Sequence, residues 1–378
     1  MNRRDRLLAA VRGGTTDRPP VSFYELNGLD ENPNDPDPFN IYSHPSWKPL
    51  IDLTRECTDR IVMRGVAYDA IRPDALGGAA QTETVVREGR RFTTHRVSAG
   101  GRTLTQRTRR DPDVNTIWTE EPLLKDTDDL RAFLSLPVTP VPDEPVDTAA
   151  VLRAEAALGD TGIVMIDTPD PLCLAASLFD MAEYTVTALT EPSLFHALLE
   201  RFAAPLQAQT EAVSQALPGR LWRIYGPEYA CPPYLPPRLF REYVCRYVTP
   251  LIGAIHRHGG YARIHAHGRV REVLNDIVRM GADGIDPLEP APQGDIELRE
   301  ARARYGDRLT LFGNLEASDI ENLPTPLFAE KVKQALDEGT SGTGRGFVLM
   351  PSACPYGRVL SGLALRNYEK LAEIAAPA

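Results

Sequence analysis

From Gly162 onward the chain alternates short apolar or β-branched runs with amphipathic stretches long enough for helices, the pattern of a parallel α/β fold. Strands are predicted at GIVMID from Gly162, LWRIYGPE from Leu221, ARIHAHG from Ala262, DGIDPLE from Asp283, LTLFGNLE from Leu309 and GFVLMPSA from Gly346. Helices are predicted between them at Pro237 to His258, Val270 to Met280, Ile296 to Tyr305, Pro326 to Glu338 and Leu363 to Ala375. The unit recurs about every 25 to 40 residues, which leaves room for a βαβ crossover.

The amino-terminal part is less regular. DRPPVSFYELNG predicts an early strand from Val21, and Asp30 to Trp47, rich in Pro, Asp and Asn, reads as a loop or lid. Residues Thr82 to Thr119 carry two breaks of hairpin type, REGRR and SAGGR, and read as an antiparallel insertion with His95 on a strand surface. Six late strands plus one or two early ones approach eight. The prediction is therefore an α/β fold, a single (β/α)8 TIM barrel over residues 1–378 with the insertion at 82–119. An open doubly wound sheet is the alternative, and it lacks support: no GxGxxG follows a strand and no GxxxxGK[ST] occurs.

Composition narrows the class. The chain has 378 residues, 42% hydrophobic and 25% charged, as a folded globular protein does. Its net charge of -10 argues against a nucleic-acid surface, which needs clustered Lys and Arg. No run of about 18 apolar residues exists for a membrane span, and Arg12 interrupts the short apolar stretch at the amino terminus before it could serve as a signal peptide. The expected location is cytoplasmic. Five scattered cysteines argue against a disulfide framework.

The strand ends are unusually polar, and catalytic side chains of a barrel come from those ends. His265 and His267 are two apart, so on a strand they share a face and both enter one cavity. With Glu289 one strand on and Cys354 at the last strand, they would make a zinc site of mixed ligands with one position left for substrate. Cys354 must reach across the barrel mouth. The competing reading has a histidine bonded to a neighbouring carboxylate and Cys354 packed in the core. His256 and His258, at the end of a helix, read as structural. Glu228, Tyr24 and Asn314 are candidate catalytic groups, and Glu25, Asn27 and Asp286 are candidate substrate contacts. For Glu228 the alternative is a helix cap or a solvated loop carboxylate.

Two stretches resemble a known family. NRRDRLLAAVRGGTTDRPPVSFY is similar to the amino-terminal signature of the uroporphyrinogen decarboxylase superfamily, and HAHG, LNDIVRMGADGIDPLEP, GDIEL and YGDRLTLFGNLE resemble its carboxy-terminal core. The resemblance implies a (β/α)8 barrel and often a homodimer. One branch decarboxylates porphyrinogens and carries an arginine-containing RQAGR stretch after the first strand; here that place reads YELNGLDEN. The other branch comprises zinc-dependent, cobalamin-linked methyltransferases with HxC at a strand end and a later cysteine. Its first ligand falls on His265 and its second on His267, where the usual cysteine is replaced. The late cysteine falls at or next to Cys354.

The expected function is therefore a zinc-dependent methyltransferase moving a methyl group between a small methylated substrate (ether, amine or thiol) and a corrinoid protein. The expected cofactors are Zn2+ and a corrinoid (cobalamin) supplied by that partner. The alternatives are a metal-independent, decarboxylase-like lyase and a non-catalytic corrinoid- or tetrapyrrole-binding barrel.

Overall fold

The computed structural model describes residues 1–66, 80–138, 141 and 145–376. Its strands are β1 Arg60–Arg64, β2 Gln81–Arg87, β3 Arg90–Ala99, β4 Arg102–Arg110, β5 Ile117–Glu121, β6 Gly162–Pro169, β7 Leu221–Tyr225, β8 Tyr261–His265, β9 Gly284–Leu288, β10 Thr310–Leu315 and β11 Phe347–Pro351. Seven of them, β1 and β6 to β11, form one parallel sheet in chain order. Helices connect them on the outside, as the right-handed βαβ rule requires. The other four form a separate antiparallel sheet.

The parallel sheet curls into a barrel-like ring of seven strands, and the early strand expected at Val21 is reduced to a bridge. Val21 pairs with Leu349 in parallel. Ser22 N donates to Leu349 O (3.0 Å), Leu349 N to Pro20 O (2.9 Å) and Asp59 N to Val21 O (2.7 Å), so residues 20–22 touch both β11 and the residue before β1. The bridge stays short because Pro19 and Pro20 have no N–H to give a ladder, and because Tyr24 turns the chain with φ +59. Asp59, fully buried, fastens this seam: it pairs with Arg6 (2.5 Å) and Arg18 (2.8 Å) and accepts from Val21 N (2.8 Å).

Two apolar shells result. Inside the ring, Ile61, Ile163, Met165, Leu221, Phe312, Val348 and Met350 pack together with Leu7, Ala10 and Val11. Those last three come from the helix Arg3–Arg12, which therefore plugs the amino-terminal end of the ring. The larger shell lies between strands and outer helices. Because both faces of the strands are covered, their sequences read as continuous apolar runs. The carboxyl-terminal ends of the strands form the mouth at the opposite end.

The insertion predicted at 82–119 is a four-stranded sheet spanning β2 to β5, with turns at Glu88–Gly89 and Gly100–Gly101 where φ is positive. Val97, Ala99 and Leu104 bury it against the helix Thr127–Leu134. His95 sits on its surface and bonds Thr82. Arg358, just after β11, ties the insertion to the Asp30–Trp47 loop by donating to the carbonyls of Pro38, Asn40 and Pro112. No helix among the described residues is long and apolar enough to cross a membrane.

Candidate functional site

Period-2 alternation inside the ring stacks side chains in layers. On β7 and β8 the positions Arg223 and Arg263 are direct neighbours, as are Tyr225 and His265 one step nearer the mouth. Asp167 on β6 adjoins Arg223, and Asp286 on β9 adjoins His265. The layer below the mouth is thus charged, and the layer at its rim carries the imidazole.

Asp286 links the two layers. It is fully buried, 2.6 Å from Arg263 Nε, and it accepts from His265 Nδ1 at 2.9 Å. Burial alone would raise its pKa, but Arg263, His265 and Arg223 outweigh that and hold it down at about 2. Because the carboxylate stays ionised, Nδ1 of His265 is the donor and the lone pair is left on Nε2. Burial pushes His265 itself down to about 4, against the pull of Asp286, so the ring is neutral at physiological pH. Asp286, a candidate substrate contact, lies fully buried between Arg263 and His265.

His267 lies just beyond the strand. Its Nδ1 bonds Glu289 Oε1 (2.9 Å), and Gly268 N donates to Glu289 Oε2 (2.5 Å). Gly268 has φ +84, a conformation that favours glycine and aims its N–H at that carboxylate. Burial opposes charge on His267, yet the bond to Glu289 and the charges of Glu289, Glu228 and Asp286 prevail and raise its pKa. The two imidazoles meet edge to face, with centroids 4.7 Å apart. Tyr24 covers His265 from the other side at 6.1 Å. Its left-handed backbone costs roughly 1 kcal/mol and is held by burial of the ring.

Glu228 closes one flank. Its Oε2 accepts from Gly226 N (3.0 Å), and burial raises its pKa although His267 draws it down. Gly226, at φ +117, has no room for a Cβ, which would collide with Cys173 and the fully buried Asp170. Cys354 is buried with Sγ 3.6 Å from Glu25 Oε2. Asn27 is buried and engaged within its own loop: it bonds Asp30, Leu29 N and Asp30 N. Asn314 lines a cleft of ≈ 180 Å³ with Pro290, Glu316, Asp319, Phe328 and Lys331. His256 pairs with Asp283 and His258 with Glu211, both by a ring nitrogen.

A family model for uroporphyrinogen decarboxylase (URO-D) matches residues 121–372, more than half of the chain. The chain belongs to the uroporphyrinogen decarboxylase family. This URO-D family protein is 27% identical over 165 residues to a uroporphyrinogen decarboxylase of Vibrio cholerae, a match covering 42% of this chain and 43% of that one. It is 26% identical over 237 residues to a uroporphyrinogen decarboxylase of Chromohalobacter salexigens, covering 58% and 63%. The chain thus spans less than two thirds of the length of either curated relative. Among solved structures, a methyltransferase from Methanosarcina mazei superposes with a TM-score of 0.62 at 14% identity, covering 99% of each chain. That likeness shows a shared fold.

The zinc ion implied by the superfamily resemblance has a partial fit in this URO-D family chain. Both imidazoles have Nδ1 bonded to a carboxylate and, among the described residues, no partner on Nε2, the arrangement in which a carboxylate orients a ligating histidine from behind. Cys354 stands against Glu25, and both oxygens of Glu289 are engaged by His267 and Gly268. Among the described residues no three His, Cys, Asp or Glu side chains are grouped to hold a metal ion. The fit is through His265 and His267.

Three interior residues escaped the sequence reading: Arg223, Arg263 and Asp167. The signal was present. Arg263 precedes His265 by two, and Arg223 precedes Tyr225 by two, so strand periodicity places each on the same face as a rim residue.

Proposed function

We propose that this protein is a methyltransferase that removes a methyl group from a small methylated substrate and passes it to a corrinoid carried by a partner protein. The observation that supports it is the pair of imidazoles at the mouth, each fixed through Nδ1 by a carboxylate with Nε2 left open. The fold likeness to the Methanosarcina mazei methyltransferase agrees with it. A decarboxylase reading has the names of the two curated relatives in its favour. Against it, Tyr24 to Asn32 contains no arginine where porphyrinogen carboxylates would be gripped.

His265 and His267 would hold the metal, and when bound it would supply Lewis acidity toward the substrate's heteroatom. The chain's own residues do the rest. Asp286 and Glu289 orient the two rings, and the depressed pKa of His265 keeps its Nε2 a lone-pair donor. Tyr24 stacks over His265 and excludes water from that side. Glu228, whose pKa burial raises, is placed to give a proton to the heteroatom, which keeps the bonding pair when the methyl group leaves; a bound corrinoid would supply the acceptor for that methyl group.

Metal content of anaerobically purified protein tests the reading. Near-stoichiometric zinc in the wild type, lost in His265→Ala and His267→Ala, is the expected result; Cys354→Ala reports whether the thiol joins them. Metal-free wild-type protein that still demethylates substrate would overturn it.

A further inference from the structure

Two buried arginines face each other across β7 and β8, and they are treated very differently. Arg263, with its side chain 2% exposed, is neutralised by Asp286 at 2.6 Å and lies over the Phe312 ring at 4.6 Å. Arg223, 9% exposed, faces carboxylates that are themselves partly exposed and stand farther off. Its Nη1 donates to the Met63 thioether (2.7 Å). Its Nε is 3.2 Å from Asp167 Oδ1, but neither atom makes an aligned hydrogen bond, and Glu25 stands off at 3.9 Å. Among the described residues, none of its N–H groups donates to an oxygen.

A buried donor left unmade costs about 1–3 kcal/mol, and Arg223 Nε is such a donor among the described residues. Such a group persists where something else completes it. The setting is that of a floor beneath the mouth: the Tyr225 and Tyr24 rings flank the guanidinium at 5.3 and 5.9 Å. The neighbouring carboxylates lead outward, Asp167 at 25% and Glu25 at 46% side-chain exposure. His265 stands beside Tyr225 in the layer above.

We propose that Arg223 anchors a carboxylate of the substrate, so that the methylated compound is a small carboxylic acid bound acid-end down with its methyl-bearing end toward the histidines. This rests on the methyl-transfer reading for the methyl end alone. A planar fork with open donors matches a carboxylate in two parallel bonds. The surrounding Glu25, Asp167 and Glu228 select a singly charged acid over a phosphate, since each further negative charge meets like charges in a poorly screened site. Asp167 is the group displaced, and burial already raises its pKa, which eases proton uptake as the substrate's carboxylate takes its place.

Calorimetric binding to the purified full chain tests this with 4-methoxybenzoate, methoxyacetate and dimethylglycine, each against its own neutral amide. At least one acid is expected to bind tenfold or more tightly than its amide. That preference should fall to near unity in Arg223→Gln and be partly retained in Arg223→Lys. If no acid outbinds its amide in the wild type, or if the preference survives in Arg223→Gln, the anchor is refuted. The wild-type comparison stands even where a variant fails to fold. Neither metal nor corrinoid enters the measurement. An acid that binds through Arg223 but is never demethylated would sink the methyl-transfer reading and leave the anchor intact, and demethylation of an uncharged compound with equal efficiency in Arg223→Gln would do the reverse.

Discussion

Asp286→Ala is the most demanding perturbation of this site. The carboxylate is fully buried, and it is the only counter-charge within salt-bridge distance of Arg263 among the described residues, at 2.6 Å. Arg263 Nε and Nη1 have no aligned hydrogen bond as it is, so removing Asp286 leaves a buried cation with nothing to offset its lost hydration. Breaking one side of a buried pair costs about 3–5 kcal/mol. The freed His265 Nδ1 adds to this, although contributions within one network do not sum. Against a total stability of roughly 5–15 kcal/mol, the loss is a large fraction. The double variant Arg263→Met/Asp286→Leu removes both charges at similar volume. It should recover most of the loss, because desolvation of the pair was itself costly. Urea unfolding of the wild type, both singles and the double completes the cycle, with Asp286→Asn as a variant that keeps the side-chain shape. A cost below about 1 kcal/mol for Asp286→Ala, or a double variant as unstable as that single, would refute the account of a buried charge held by its partner.

In metal-free, chelator-treated protein, His265 gives stability a pH dependence. Its folded pKa of about 4 lies below the ordinary 6.5, so the unfolded chain takes up the proton first and stability present above 6.5 is lost as pH falls through 4. At 1.36 kcal/mol per pH unit the loss is about 3 kcal/mol, and urea titrations of wild type should show this extra slope relative to His265→Gln; parallel curves would disprove it. Glu289→Gln should lower the pKa of His267, since burial then acts without the carboxylate's charge; an unchanged imidazole titration by NMR would remove Glu289 as the cause.

The six late strands were legible because both their faces are covered, so each reads as a bounded apolar run. β1 was not: RIVMR is short, framed by arginines, and follows a helix without a Gly or Pro break. The expected strand at Val21 contracted to a bridge for a reason written in Pro19 and Pro20, which the apolar pattern outweighed. The insertion was visible through its hairpin turns, although its four strands run over 81–121.

At the site, sequence spacing by itself brought His265 and His267 together at one strand end and put Glu289 beside them, because closeness in sequence and adjacency between consecutive parallel strands are local rules. What tertiary structure decided was pairing at longer range. It turned Asp286 inward onto Arg263 and His265, set Cys354 against Glu25 from the far end of the chain, and left Arg223 in the ring with no aligned hydrogen bond to an oxygen among the described residues. Arginine is seldom buried, so composition points it outward. Only closure of the ring shows which guanidinium lies against a fully buried counter-charge and which lies against carboxylates that lead out toward the mouth.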